Sequence, residues 1–267
     1  MIRKFVIVSV VLVLLQGCAT PFAQFYNDTV GGMDVTKHPN VVLSTGEPKV
    51  IRGNIEEQDS LKMLEDCYYS VGYSSFNAGN VDENGAITQA KKVHASVVIL
   101  YSKYTGSVSG ALPLTLPDTK TSTTSMSGTA YGSRGYASYS GTANTTTYGT
   151  STTYVPYTVH RSDYMATYWV KMKPPMFGTH IKDLTPEMKQ QIGSNKGMLI
   201  YAVVKGSPAF EADILKGDIL RKIGDVSVFD LESFQRALSE NEGKETDVTL
   251  FRANKEIIKS VKLRTTN

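Results

Sequence analysis

The chain has 267 residues, of which 41% are apolar and 20% charged, with 28 basic against 25 acidic side chains. That length allows one or two domains with a real core, and the near balance of charge argues against a nucleic-acid binder. Two cysteines exclude a disulfide framework and a multi-cysteine zinc module, and the body of the chain has no 18-residue apolar run, which excludes a multi-span helical membrane protein.

Arg3 and Lys4 precede an apolar run over residues 5–15, relieved only by Ser9, and Leu15-Gln16-Gly17-Cys18 follows. Eleven residues reach about 16 Å as a helix, short of a bilayer core of roughly 30 Å, so the segment reads as a removable export signal. The Leu-x-Gly-Cys ending resembles the lipobox of bacterial lipoproteins. The resemblance implies cleavage after residue 17, acylation of Cys18 with palmitate-type chains and a membrane anchor. Ala19 stands where that family carries an inner-membrane retention aspartate, so the outer membrane of the cell envelope is expected. Cys67 is then left without an intramolecular partner, as a small buried hydrophobe or a reactive thiol.

Residues 18–47 carry Pro21, Gly31-Gly32, Pro39 and Gly46 and lack sustained periodicity; they read as a lipidated tether. About 25 flexible residues reach roughly 25–30 Å. Residues 48–173 read as a small α/β domain. Strands are expected at Val50-Ile51-Arg52, at residues 69–76, at residues 97–101 and at residues 164–171. Helices are expected over residues 55–66, with Leu61 and Leu64 apolar, and after residues 80–83, with Ala86, Ile87, Ala90 and Val93 in one stripe.

An insertion at residues 105–158 interrupts this domain. Within it, 32 of the 35 residues 119–153 are Ser, Thr, Gly, Tyr, Ala or Asn, and only Lys120 and Arg134 are charged. With few aliphatic side chains to bury, it reads as a mobile loop or a long, weakly specified hairpin. The alternative is a surface that contacts glycans or proteins through Tyr131, Tyr136, Tyr139, Tyr148, Tyr154 and Tyr157.

Charge density nearly doubles after Pro174-Pro175, which marks a domain boundary, and residues 174–267 form the last domain. A strand is expected from Phe177-Gly178-Thr179 to Leu184, and Thr185-Pro186 starts a helix. Residues 197–203 form a strand, Gly206-Ser207-Pro208-Ala209 turns into a short helix, and residues 220–223 form another strand. Asp230 caps a helix with Leu231, Phe234, Ala237 and Leu238 on its apolar face. Strands at residues 247–251 and 256–263 close the pattern.

This order, with Lys196-Gly197-Met198-Leu199-Ile200, Gly206-Ser207-Pro208-Ala209, Leu215-Lys216-Gly217-Asp218-Ile219-Leu220 and Phe234-Gln235-Arg236-Ala237-Leu238, resembles a bacterial PDZ domain of the periplasmic high-temperature-requirement proteases. The fold class implied for the chain is α+β, with the PDZ part a partly open β-barrel with two helices. The resemblance further implies a ligand strand added to a sheet edge with its carboxylate in a nest of backbone amides. Met176, Phe177, Gly178 and Thr179 would form the carboxylate loop, and His180 and Ile181 the pairing edge. Phe234, Ala237 and Leu238 would line the side-chain pocket, although Phe234 and Leu238 could equally face the core. His180 reads as an exposed strand residue or a switch. Asp213 and Thr179 depart from the family's usual glycine and aliphatic residue.

Proteases with this module carry a trypsin-like domain before it. The nearest nucleophile string here, Gly132-Ser133-Arg134-Gly135, lies in low-complexity sequence. No enzyme, cofactor or metal site is expected. The implied function is a non-catalytic adaptor that binds C-terminal or extended segments of envelope proteins. The alternative is a structural or surface-interaction lipoprotein acting through its tyrosine-rich insertion.

Overall fold

The computed structural model describes residues 19–265; the expected signal segment and Cys18 lie outside them. The described chain divides into two compact units, Tyr104–Ser162 and the remainder.

The larger unit begins with a one-turn helix, α1 (Pro21–Gln24), capped by Thr20, whose hydroxyl accepts from the Ala23 N–H at 3.3 Å. Strand β1 (Tyr26–Asp28) and the two-residue β2 (Val41–Val42) follow, then β3 (Lys49–Arg52), α2 (Glu56–Glu65), β4 (Tyr68–Ala78) and α3 (Asn84–Lys92). Strands β5 (Val97–Gly132) and β6 (Gly135–Met172) complete a six-stranded sheet ordered β1-β4-β6-β5-β3, with β2 on β6. The β3–β5 pair is parallel and the β1–β4 and β2–β6 pairs are antiparallel, so the sheet is mixed.

Both faces of this sheet are covered. Val97, Ile99 and Trp169 pack with Met63 of α2 on one side, and Val98, Leu100, Ala166, Tyr168 and Val170 pack with Ala86 and Ala90 of α3 on the other. The run Val97-Val98-Ile99-Leu100 is therefore buried throughout rather than alternating, as a doubly covered strand requires.

Residues 20–42 differ from the expected tether. Phe22 is 1% exposed and packs edge-on to Phe76 with ring centroids 5.0 Å apart, Val35 is buried, and β1 pairs Tyr26 with Ser74. These anchors are single apolar residues separated by turns, so they leave no periodicity to read.

After the linker at Pro174-Pro175, a second six-stranded sheet forms from β7 (Thr179–Lys182), β8 (Met198–Val203), β9 (Ile219–Ile223), β10 (Val226–Ser227), β11 (Glu245–Arg252) and β12 (Lys255–Lys262). Its order is β12-β11-β9-β8-β7 with β10 on β9, an open sheet that does not close into a barrel. Three helices accompany it, each at a start that the sequence marks, one more than the family resemblance implies: α4 (Pro186–Gln191), α5 (Pro208–Glu211) and α6 (Leu231–Glu240). Each begins at a hydroxyl or carboxylate cap, and Thr185 and Ser207 are followed by proline at the first helical position. The core joins Phe177, Ile200, Ile214, Leu220, Ile223, Phe234, Ala237, Val248, Leu250 and Leu263.

The smaller unit holds residues 104–132 of β5 and 135–162 of β6 as an antiparallel hairpin. Cross-strand bonds tie Ser109 to Thr158 at 3.0 Å, Thr115 to Thr152 at 2.9 Å and Thr123 to Asn144 at 2.7 Å. The insertion is thus a hairpin and not a loop.

Candidate functional site

Strand β7 is the edge of the second sheet. Its inner side pairs with β8, from Thr179↔Val203 to Lys182↔Leu199, with a register shift between His180 and Ile181. Its outer side has no partner strand among the described residues. Free edge donors and acceptors of this kind are a template for an added strand.

The loop leading into β7 is fixed by its carbonyls. Met176 O accepts from the Arg264 N–H at 3.1 Å, Phe177 O from Ala209 at 2.9 Å and Gly178 O from Val204 at 2.8 Å. Gly178 has φ +97°, and a methyl group there would overlap the Ser207 side chain, so only glycine fits. The loop's own N–H groups are a different matter. Those of Phe177 and Gly178 donate to no acceptor among the described residues, although both residues are buried. Beside them the Thr179 hydroxyl is buried without a partner. Buried donors left unpaired are costly and suit an anionic acceptor.

Alongside the edge, Phe177 and Phe234 of α6 sit with ring centroids 6.3 Å apart. Phe234 and Ala237 are buried members of the core, and Leu238, Ile181 and Met176 pack partly buried against it. For Phe234, then, the core-facing alternative describes this state, and its ring fills the space between α6 and the loop.

His180 is not an exposed strand residue. Its ring turns away from the core toward the backbone of Leu64 at the end of α2, and burial holds its pKa below the ordinary histidine value, against the raising effect of that backbone contact. Strand β7 thus offers Ile181 to its own core and His180 to the neighbouring layer. The same junction carries the Lys205 N–H on Glu65 O at 2.8 Å and the Lys205–Asp66 ion pair at 2.7 Å. Next to it lies a cavity of about 550 Å³ walled by Cys67, Tyr68, Met172, Met176, His180 and Arg264. Burial pushes the Cys67 thiol pKa up, only partly offset by Lys171 and Arg264, which favours the protonated, unreactive form.

Local sequence did not reveal two features. Asp218 stands in what reads as an ordinary turn, yet it is 2% exposed and accepts from Arg252 Nε at 2.6 Å and Nη2 at 2.7 Å. Asp213 adopts φ +58° where glycine is usual, and its carbonyl accepts from Arg252 Nη2 at 2.9 Å.

Residues 199–252 match the PDZ domain family model, from β8 to the end of β11. A Synechocystis protein that carries the name of a serine protease, HhoB, is 37% identical over 68 residues, covering 22% of this chain and 16% of its own length. The serine protease Do-like HtrA of Lactococcus lactis is 31% identical over 101 residues, covering 35% of this chain and 25% of its own. This chain therefore spans a quarter or less of those relatives. Among solved structures, an HtrA3 PDZ domain bound to a phage-derived ligand aligns at 21% identity and TM-score 0.29, over 33% of this chain and 82% of that one. The C-terminal module of this chain is a PDZ domain similar to those of HtrA-type proteases.

Proposed function

We propose that this chain is an exported, lipid-anchored, non-catalytic adaptor of the bacterial cell envelope that captures C-terminal segments of other envelope proteins. Cys18 in Leu15-Gln16-Gly17-Cys18 supplies the anchor. The ligand adds a strand to the outer side of β7 along His180 and Ile181. Its carboxylate enters the loop of Met176, Phe177, Gly178 and Thr179, and its last side chain displaces Phe234 toward the space beside Ala237 and Leu238.

One observation carries this reading: the N–H groups of two buried residues, Phe177 and Gly178, have no acceptor among the described residues, at the start of a sheet edge that has no partner strand among them either. A carboxylate there satisfies both donors, and the next residues of the ligand continue the ladder. The Thr179 hydroxyl gives a third donor where an aliphatic side chain would give none.

Fluorescence-anisotropy titration of the mature chain with a C-terminal peptide library tests it. Expected is micromolar binding, about −8 kcal/mol at 1 μM, weakened at least about tenfold when the hit is remade as its C-terminal amide. Affinity indifferent to amidation overturns carboxylate capture.

A further inference from the structure

The hairpin of residues 104–162 has two unlike faces. The bonds Ser107–His160, Ser109–Thr158, Thr115–Thr152 and Thr123–Asn144 place odd-numbered residues of β5 opposite even-numbered residues of β6. That face is mainly Ser, Thr, Asn, Tyr and His, with Ala111, Pro113, Pro117 and Pro156 among them, and it carries no large aliphatic side chain. The opposite face joins even-numbered β5 to odd-numbered β6, as the Tyr157 ring lying against Gly110 shows. On it stand Val108, Leu112, Leu114 and Leu116 across from Val159, Tyr157 and Val155, all between 39% and 60% exposed.

The dimensions and charge of this face match one environment. Residues 108–116 are nine in number, and a strand that crosses a bilayer at about 45° needs roughly 9–11. Alternating apolar and small polar residues is the pattern of a strand with lipid on one side and an aqueous lumen on the other. No charged residue occurs between Lys103 and Asp118 on β5, or between Arg134 and Arg161 on β6. A protein partner covering one face would leave the other face free to carry charge; here both strands are neutral through the span. Charge returns immediately past it, at Asp118 and Lys120 on the same face as the leucines.

A lone two-stranded ribbon is marginal in water, and its open edges are not tolerated in lipid. Strand β3 joins β5 at residues 97–100 and β2 joins β6 at residues 171–172, and along residues 108–116 and 151–159 no further strand is paired to the hairpin among the described residues. We propose that hairpins from several copies of this chain pair edge to edge into a closed membrane-spanning β-barrel, two strands per copy, with the Val108–Leu116 face toward lipid and the Ser/Thr face toward a polar lumen. The inference is independent of peptide capture by the PDZ domain.

The full chain in mild detergent, sized by light scattering and added to planar bilayers of phosphatidylcholine and phosphatidylglycerol, tests the proposal. Expected are a multi-copy species and stepwise conductance. Leu112→Lys with Leu114→Lys abolishes the conductance at least tenfold, while the thermal unfolding of the remainder is unchanged. Thr115→Lys, on the polar face, keeps the conductance and shifts it toward anions. The proposal fails if the wild type is monomeric and silent, or assembles in buffer without conducting. It fails equally if the leucine variant conducts as well as wild type, or if Thr115→Lys is lost along with it.

Discussion

Asp218 is 2% exposed, and Arg252 meets its carboxylate with two nitrogens while the Leu215 N–H adds a third donor at 2.9 Å. Removing one member of a buried pair leaves the other uncompensated, which costs about 3–5 kcal/mol when both are enclosed. Arg252 is 28% exposed and recovers some hydration. Asp218→Asn is therefore expected to destabilise the PDZ domain by about 2–3 kcal/mol. Urea unfolding checks this: the midpoint falls while the slope is unchanged, and an unaltered midpoint contradicts the assignment. The carboxylate was visible in Gly217-Asp218-Ile219, but its role was not. Its partner lies 34 positions later on β11, and no local pattern links a turn residue to a strand residue at that distance.

At the scale of the element, β7 is where two duties meet. Ile181 faces the core and His180 faces the end of α2, so the edge we propose for strand addition is also part of the contact with the neighbouring layer. Burial lowers the folded-state pKa of His180 below its unfolded value near 6.5. The unfolded chain then binds the proton first, so stability is full above about pH 6.5 and is lost as pH falls below it. In His180→Gln this component is absent. Unfolding followed from pH 7.5 down to 5 should show the wild type losing stability that the variant keeps, and parallel profiles would remove His180 from the account. Legibility at this scale followed the caps and the periods. Thr185-Pro186, Ser207-Pro208 and Asp230 start α4, α5 and α6 as their residue types dictate. The period-2 run from Met165 to Val170 splits correctly between two cores. What escaped was long-range: Phe22 and Val35 anchor residues 20–42 through contacts with β4 and α3 that no window contains. Phe234 could be placed on the right face of α6, but sequence alone could not choose between core and groove.

At the scale of the whole chain, the three buried cores include no residue between Tyr104 and Ser162. The larger unit closes around the first one-turn helix, both sheets and their helices, and β5 and β6 add only residues 97–103 and 163–172 to it. Those ends are held independently of the hairpin: Val97–Leu100 by parallel pairing to β3, and Asp163 by the Asn77 side chain at 2.8 Å. Joining Lys103 to Asp163 through an Asn-Gly turn should therefore leave this unit folded, since a shorter connection costs less closure entropy and no core contact is removed. The expected change in its thermal midpoint is within about 2 °C, the scale of a surface substitution in a domain of this size. Peptide affinity of the PDZ domain should persist in the shortened chain, whereas the multi-copy species and its conductance should vanish. A shortened chain that fails to fold would show that residues 104–162 stabilise the larger unit after all. One that folds, keeps its peptide affinity and still assembles would move the self-association surface onto the larger unit and away from the leucine face of the hairpin.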